Sequence, residues 1–286
     1  MSDCIALSFR DVSFSYARTD SSGADVPRLI DGLSLDVPAG YMMALLGPNG
    51  CGKSTLLRMA DGLLVPASGA VEVADGRDGL TPVLSMDARR RARAVALLPQ
   101  IHRTPSMTVE SLVMCGRYAH MGAFGRPSAE DRAAVKQALD AVGISSLAGR
   151  QARRLSGGQR QCAFIAMALA QQAPLLLLDE PTTYLDVRAA HDIMSLVRRL
   201  VDERGLTVLA VMHDLDLALR CSDRIAVMDE GRIMACGSPQ AVVASGALSR
   251  ALGVDVVPCE TPSGTAYATF PTNEFGDRYK LTGADK

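Results

Sequence analysis

The apolar residues of this chain follow two different rhythms. Ile5-Ala6-Leu7-Ser8-Phe9, Val12-Ser13-Phe14-Ser15-Tyr16 and Leu33-Ser34-Leu35-Asp36-Val37 alternate apolar with polar positions. That alternation marks half-buried strands and predicts an antiparallel β layer at the N-terminus. Tyr41-Met42-Met43-Ala44-Leu45-Leu46, Ala94 to Leu98, Leu175 to Leu178 and Leu206 to Met212 are nearly unbroken apolar runs of strand length. Such runs belong to strands of a buried core. Helical patterns cover Val109 to Tyr118, a segment from the N-cap Ser128 to Val142 that Gly143 would end, Arg160 to Ala170, Val187 to Val201, and Pro239 to Leu252. The long, mostly helical stretch from about 107 to 170, set between two core strands, suggests an inserted subdomain. Ala70 to Val73 reads as a further strand, and Arg224 to Met228 with Arg232 to Ala235 as a hairpin around Asp229-Glu230-Gly231. Arg18 to Pro27 reads as a mobile loop, and the chain beyond about 238 as one helix, short strands and a polar tail that frays.

Composition narrows the class. The 286 residues are 48% hydrophobic and 21% charged, enough for an ample core. Thirty basic residues against 31 acidic ones give a net charge of −1, so no global attraction to nucleic acid is indicated. No apolar run approaches the roughly 20 residues that span a bilayer. Met1-Ser2-Asp3-Cys4 lacks the basic and then apolar segments of a signal peptide, which favours a cytoplasmic protein. The seven cysteines are scattered without a C-x-x-C, so reduced thiols are expected rather than disulfides or a zinc site.

The densest chemistry lies at Gly47-Pro48-Asn49-Gly50-Cys51-Gly52-Lys53-Ser54, followed by Thr55. This fills G-x-x-x-x-G-K-[ST] between a strand and a helix start, the context in which backbone N–H groups converge on phosphate oxygens. Lys53 is placed to reach terminal phosphates and the Ser54 hydroxyl to meet Mg²⁺. Cys51 contributes its backbone rather than its thiol.

Other candidates stand at strand and helix ends. Asp179-Glu180 closes the four-leucine strand: Asp179 suits a metal held through water, and Glu180 suits orienting and polarising an attacking water. Gln100 and His213 also end core strands, at the edge of an α/β sheet where ligands are met. A lone histidine is usually structural, and His213 at such an edge has the second reading of facing a γ-phosphate. Ser156-Gly157-Gly158-Gln159 opens a helix and reads either as a capped turn or as a second anion cradle. Tyr16 can be core or can stack on an adenine. The basic run Arg89-Arg90-Arg91 with Arg93 reads as a solvated helix face.

In this order the pieces resemble the ATPase subunit of an ABC transporter. The matching elements are Tyr16, the phosphate loop at 47–54, Gln100, the signature Leu155 to Gln159, Asp179-Glu180, Leu185-Asp186 and His213. The resemblance implies an α/β fold: a P-loop (RecA-like) core with an N-terminal antiparallel β layer and an inserted helical subdomain at approximately 101–170. The ATPase domain would span 1–250 and a C-terminal extension 251–286. It implies ATP and Mg²⁺, with Tyr16 stacking on adenine, Ser54, Gln100 and Asp179 serving the metal and its waters, Glu180 as base and His213 contacting the γ-phosphate. Ser156, Gly157 and Gly158 would close over the ATP of a second, head-to-tail copy, with Asp186 working across that interface. Further implied are membrane permease subunits, a substrate-binding protein reached through them, and a place at the cytoplasmic face of the membrane. Cys115-Gly116-Arg117-Tyr118-Ala119-His120, Phe124 to Ser128, Pro181 to Asp186, Leu252 to Val256 and Pro262 to Thr265 are similar to the importers of iron–siderophore, haem and cobalamin, ferric siderophore first among them. Cys162 departs from the Arg common at that place. Rival readings are a soluble ABC-type factor acting on the ribosome or DNA, a non-hydrolysing regulatory or structural ATP-binding module, and the same machine carrying haem, cobalamin or a metal ion.

Overall fold

A computed structural model describes residues 4–16, 28–76, 79–100, 104–122, 125–262 and 264–272. The expectations for the loop from Arg18 to Pro27, for Phe124 and Ser263, and for the tail after 272 fall outside these residues. The strands are β1 (Ile5–Phe14), β2 (Ile30–Pro38), β3 (Met42–Leu46), β4 (Ser68–Ala74), β5 (Leu80–Pro82), β6 (Val95–Leu98), β7 (Leu175–Asp179), β8 (Thr207–Val211), β9 (Arg224–Asp229), β10 (Arg232–Gly237), β11 (Val254–Thr261) and β12 (Gly264–Pro271). The helices are α1 (Lys53–Ala60), α2 (Ala88–Ala94), α3 (Val109–Met114), α4 (Ala129–Ala141), α5 (Gly157–Ala170), α6 (Val187–Arg204), α7 (Leu215–Cys221), α8 (Pro239–Ala244) and α9 (Ala247–Leu252).

The alternating N-terminal segments form an antiparallel sheet in the order β2-β1-β4-β5. The two strands expected at 5–9 and 12–16 are one. Asp11, at φ 49°, sits where the register to β2 shifts between Phe9 and Val12, and its N–H bonds the Ser34 hydroxyl at 3.0 Å. A bulge absorbs the two polar residues without ending the ladder.

The apolar runs form a six-stranded sheet, β10-β9-β3-β8-β7-β6, parallel except for β10. β3, β7 and β8 are buried at every position, and because the side-chain period is two, alternate residues enter the cores on opposite faces of the sheet. Met42, Ala44 and Leu46 of β3 enter the core shared with α3 to α6, and Met43 and Leu45 enter the core shared with the antiparallel sheet. Leu176 and Leu178 of β7 divide from Leu175 and Leu177 in the same way.

Helices α3, α4 and α5 lie in sequence between β6 and β7. Ser128 caps α4 as expected, in a reciprocal capping box with Asp131. The buried Arg117 ties this layer together: it bonds Asp131 at 2.9 Å and the Ala170 carbonyl and Gln172 at 2.7 Å each. Gly116 beside it lets the backbone approach α5, since a Cβ there would stand 2.1 Å from the Met167 carbonyl oxygen.

Three further expectations are corrected. The basic run on α2 is not wholly solvated: Arg90 pairs with the buried side chain of Asp75, and Arg93 donates to the Ala119 carbonyl. The helix from Val187 continues three residues past Val201 and ends at Gly205 in the left-handed conformation. Pro239 to Leu252 is two helices, because Gly246 at φ 67° breaks the ladder between α8 and α9. Beyond α9, β11 and β12 form a hairpin whose Tyr267 packs into the main core.

Candidate functional site

The glycines of the phosphate loop are required by geometry. Gly47 has φ 154°, and a Cβ on it would lie 2.0 Å from the Met228 carbonyl oxygen of β9. Gly50 and Gly52 have φ 81° and 107°, and Gly52 is the N-cap of α1, so the loop turns directly into the helix start. Lys53 is buried, and its ammonium donates to the Gly47 and Pro48 carbonyls at 2.7 Å each, holding its charge over the loop. The Cys51 side chain is buried in the core and burial pushes its thiol up, so it is no ready thiolate.

Around this loop opens a cleft of about 440 Å³, lined by Tyr16, Asn49, Lys53, Ser54, Thr55 and Glu180, among others. Tyr16 stands at its mouth, 63% exposed, edge-on to Phe14 and sharing a 2.9 Å hydrogen bond with Thr55. An exposed ring held at its edge and its hydroxyl leaves a π face free for a flat partner. Tyr16 is therefore not core.

The other candidates arrive through topology. Strands β3, β6, β7 and β8 run parallel, so their carboxyl ends meet at one sheet edge. There β3 delivers the phosphate loop, β6 Gln100, β7 Asp179 and Glu180, and β8 His213. The Ser54 hydroxyl donates to Asp179 at 2.8 Å. Two oxygen donors at that separation suit a hard divalent cation beside phosphates. Burial pushes the Asp179 carboxyl up, against the Ser54 hydrogen bond, and the neighbouring Glu180 adds to the rise.

Glu180 takes three side chains at once. His213 Nε2 meets one carboxylate oxygen at 2.6 Å, while Gln100 at 2.5 Å and Thr183 at 2.9 Å donate to the other. Burial alone would raise this carboxyl, but the bonds from His213 and Thr183, the His213 charge and the Gln100 amide together hold it below its ordinary value. Its backbone is at φ 53°, left-handed for a non-glycine residue, and its N–H bonds the Val211 carbonyl of β8 at 3.1 Å. Such backbone persists where the surroundings over-determine it, and it aims the side chain out of the strand line. Thr183 was not among the sequence candidates; a hydroxyl three residues beyond the acid, across a tight turn, is the signal that identifies it.

Ser156, Gly157, Gly158, Gln159 and Asp186 gather elsewhere. They line a second cleft of about 420 Å³ with Cys162 and Tyr184, and none of them borders the first. Ser156 and Gln159 form a reciprocal capping box at the start of α5, and Asp186 caps α6 by accepting from the Ala189 N–H at 2.8 Å. Cys162 lies on the flank of α5.

A phosphate-loop cleft and a separate capped Ser-Gly-Gly cleft in one chain match a known pattern. The family model described as ABC transporter matches residues 30–183. The chain belongs to the ABC transporter family. Within it the chain is an ATP-binding subunit, an ATPase. It is 41% identical over 233 residues to the ferric enterobactin transport ATP-binding protein FepC of Escherichia coli (strain K12), covering 81% of this chain and 84% of that one. It is 40% identical to the iron(3+)-hydroxamate import ATP-binding protein FhuC of Bacillus subtilis (strain 168), over 79% of this chain and 83% of the other. Among solved structures, an inward-facing metal-chelate type ABC transporter superposes with a TM-score of 0.78 at 27% identity, covering 93% of this chain and 97% of its own. The post-hydrolysis dimer of the ATP-binding cassette MJ0796 with ADP and Pi gives 0.69 at 26% identity, over 82% and 98%.

Proposed function

We propose that this ABC ATPase energises uptake of a ferric siderophore or related iron chelate by hydrolysing Mg-ATP between two head-to-tail copies bound to a membrane permease. The observation that carries the hydrolytic part is Glu180, a carboxylate kept ionised at the carboxyl edge of the parallel sheet, beside the phosphate loop. In this reading Tyr16 stacks on the adenine, and the loop from Gly47 to Gly52 with Lys53 and Thr55 holds the phosphates. Ser54, Asp179 and Gln100 would hold Mg²⁺ and its waters, and the ion, when bound, would supply neutralisation of phosphate charge. Glu180 accepts a proton from the attacking water, whose oxygen bonds the γ-phosphorus as the bond to the β-phosphate oxygen breaks. His213 orients Glu180 and meets the γ-phosphate, and Gln100 and Thr183 fix the other carboxylate oxygen.

The cleft of Ser156, Gly157 and Gly158 completes the site of the second copy. Supporting this, it borders no residue of its own chain's phosphate cleft, while the adjoining Tyr184 and Val187 are 90% and 77% exposed, as apolar residues at an interface are before pairing. The ATPase domain occupies 1–250 with its helical subdomain at about 101–170, and 251–286 is an extension. Among the described residues no helix is long and apolar enough to cross a membrane, and the translocation path belongs to the permease, which a substrate-binding protein would feed. The chain then works peripherally at the cytoplasmic face. The iron-chelate cargo rests on relatives whose names state enterobactin and hydroxamate transport.

The test is purification of the tagged chain from mildly solubilised membranes, followed by uptake of labelled ferric siderophore by cells that lack or carry it. Recovery of a polytopic permease and dependent iron uptake are expected. Recovery of ribosomal or DNA-associated proteins without a permease would overturn the reading, and uptake of labelled haem or cobalamin instead would replace the cargo.

A further inference from the structure

Outside the two clefts, the C-terminal hairpin makes a contact that the hydrolytic reading does not use. Tyr267 of β12 pairs across the hairpin with Pro258 of β11, a residue with no N–H to give. The Tyr267 N–H points away from that partner and donates to Asp216 Oδ1 at 2.9 Å. The Tyr267 side chain, 8% exposed, enters the main core together with Leu217 and Leu219 of α7. A two-stranded ribbon is marginal by itself, so this edge is held by α7 as much as it holds α7.

Asp216 is the second residue of α7, and its other oxygen accepts from Arg220 at 3.2 Å. Asp214 caps the same helix by accepting from the Leu217 N–H at 3.0 Å. His213, immediately before the cap, reaches Glu180 at 2.6 Å. From Met212, whose N–H bonds the Leu45 carbonyl of β3 at 3.3 Å, to Asp216, the chain is pinned at both ends, by the sheet on one side and by the hairpin on the other. Only the second pin lies outside the nucleotide core.

We infer that Asp216 is a positioning residue for His213: by receiving the Tyr267 N–H, it lets the C-terminal hairpin set the angle at which α7 presents the histidine to Glu180. The inference rests on the role given to His213 above. The hairpin is thus a part of the hydrolytic machinery in the same chain, and the short series of contacts Glu180–His213–α7–Asp216–β12 is its route. An amide at 216 can still accept the Tyr267 N–H, whereas a methyl cannot.

The experiment compares the full-length chain with Asp216→Ala and Asp216→Asn, each with and without His213→Ala, by single-turnover and steady-state ATP hydrolysis and by nucleotide binding. Asp216→Ala should lower kcat on the order of tenfold with KM for ATP nearly unchanged, the size expected of a sub-ångström misplacement. Asp216→Asn should recover most of that loss, and Asp216→Ala should cost nothing further once His213 is alanine. Unchanged kcat in Asp216→Ala, or an equal fold-loss in the His213→Ala background, would overturn the inference. If His213→Ala alone leaves hydrolysis intact, the role given to His213 fails, and this inference with it. If Asp216→Ala does not fold, Asp216→Leu, which keeps the size of the side chain but cannot accept the Tyr267 N–H, carries the same comparison against Asp216→Asn.

Discussion

Glu180 and His213 stand 2.6 Å apart although they are 33 positions apart in the chain, one at the end of β7 and one just beyond β8. Because β7 and β8 are parallel neighbours, with Asp179 in register with Val211, the acid and the imidazole leave the sheet at the same level. Removing the charge while keeping the shape isolates its role. Glu180→Gln should retain ATP binding, measured with a fluorescent nucleotide, while phosphate release falls by about 10²–10⁴-fold, the range of general-base catalysis. Near-normal turnover would remove Glu180 as the base.

Tyr16 separates stacking from hydrogen bonding. Tyr16→Ala should weaken ATP affinity by about 1–3 kcal/mol, the worth of one base–aromatic stack, and Tyr16→Phe by much less, since only the bond to Thr55 is lost. Titration of both variants with ATP, and with a triphosphate lacking a base, checks this. Equal losses in the two variants would assign the effect to the Thr55 contact instead.

Gly47 and Gly50 both have positive φ, but only Gly47 faces backbone at 2.0 Å, while Gly50 faces open space. Gly50→Ala should cost about 1–2 kcal/mol of strain and leave a folded, weakly binding protein. Gly47→Ala must displace β9 or the loop and should abolish binding with a clear fall in the thermal midpoint. Melting curves with and without nucleotide distinguish the two.

Asp61 follows α1, and burial pushes its carboxyl up to about 6, against the attraction of Arg91. The folded state therefore binds this proton more tightly than the unfolded one. The contribution to stability is then greatest below about pH 4 and is lost as pH rises through about 6. Asp61→Asn should be more stable than the parent by about 2 kcal/mol at pH 7, converging with it near pH 4. Urea melts across that range test the sign, and a gap that widens toward acid would refute it.

Arg117 and Asp131 form a buried pair in the helical layer. Arg117→Met strands the carboxylate and should cost about 3–5 kcal/mol, and adding Asp131→Asn, which keeps the cap at Ser128, should return much of it. Thermal unfolding of the single and double variants measures the difference.

Local chemistry was legible in the residues themselves. The phosphate loop, the strand and helix types, the cap at Ser128 and the stop at Gly143 depend on nearest neighbours, and a chain that alternates with period two or repeats with period 3.6 announces them. The single bulged strand β1 and the break at Gly246 were harder, because a bulge and a helix break depend on which strand or core lies opposite. What only tertiary structure decided is which distant residues meet. Parallel pairing of β3, β6, β7 and β8 carries Gln100, Glu180 and His213 to one point and leaves Ser156 to Gln159 in a cleft apart. Likewise, the meeting of Tyr267 with Asp216, 51 residues away, follows from packing of the hairpin on α7. Residue type and spacing set the chemistry each position can perform; the distances that make it a site come from sheet order, a property of the whole packed core.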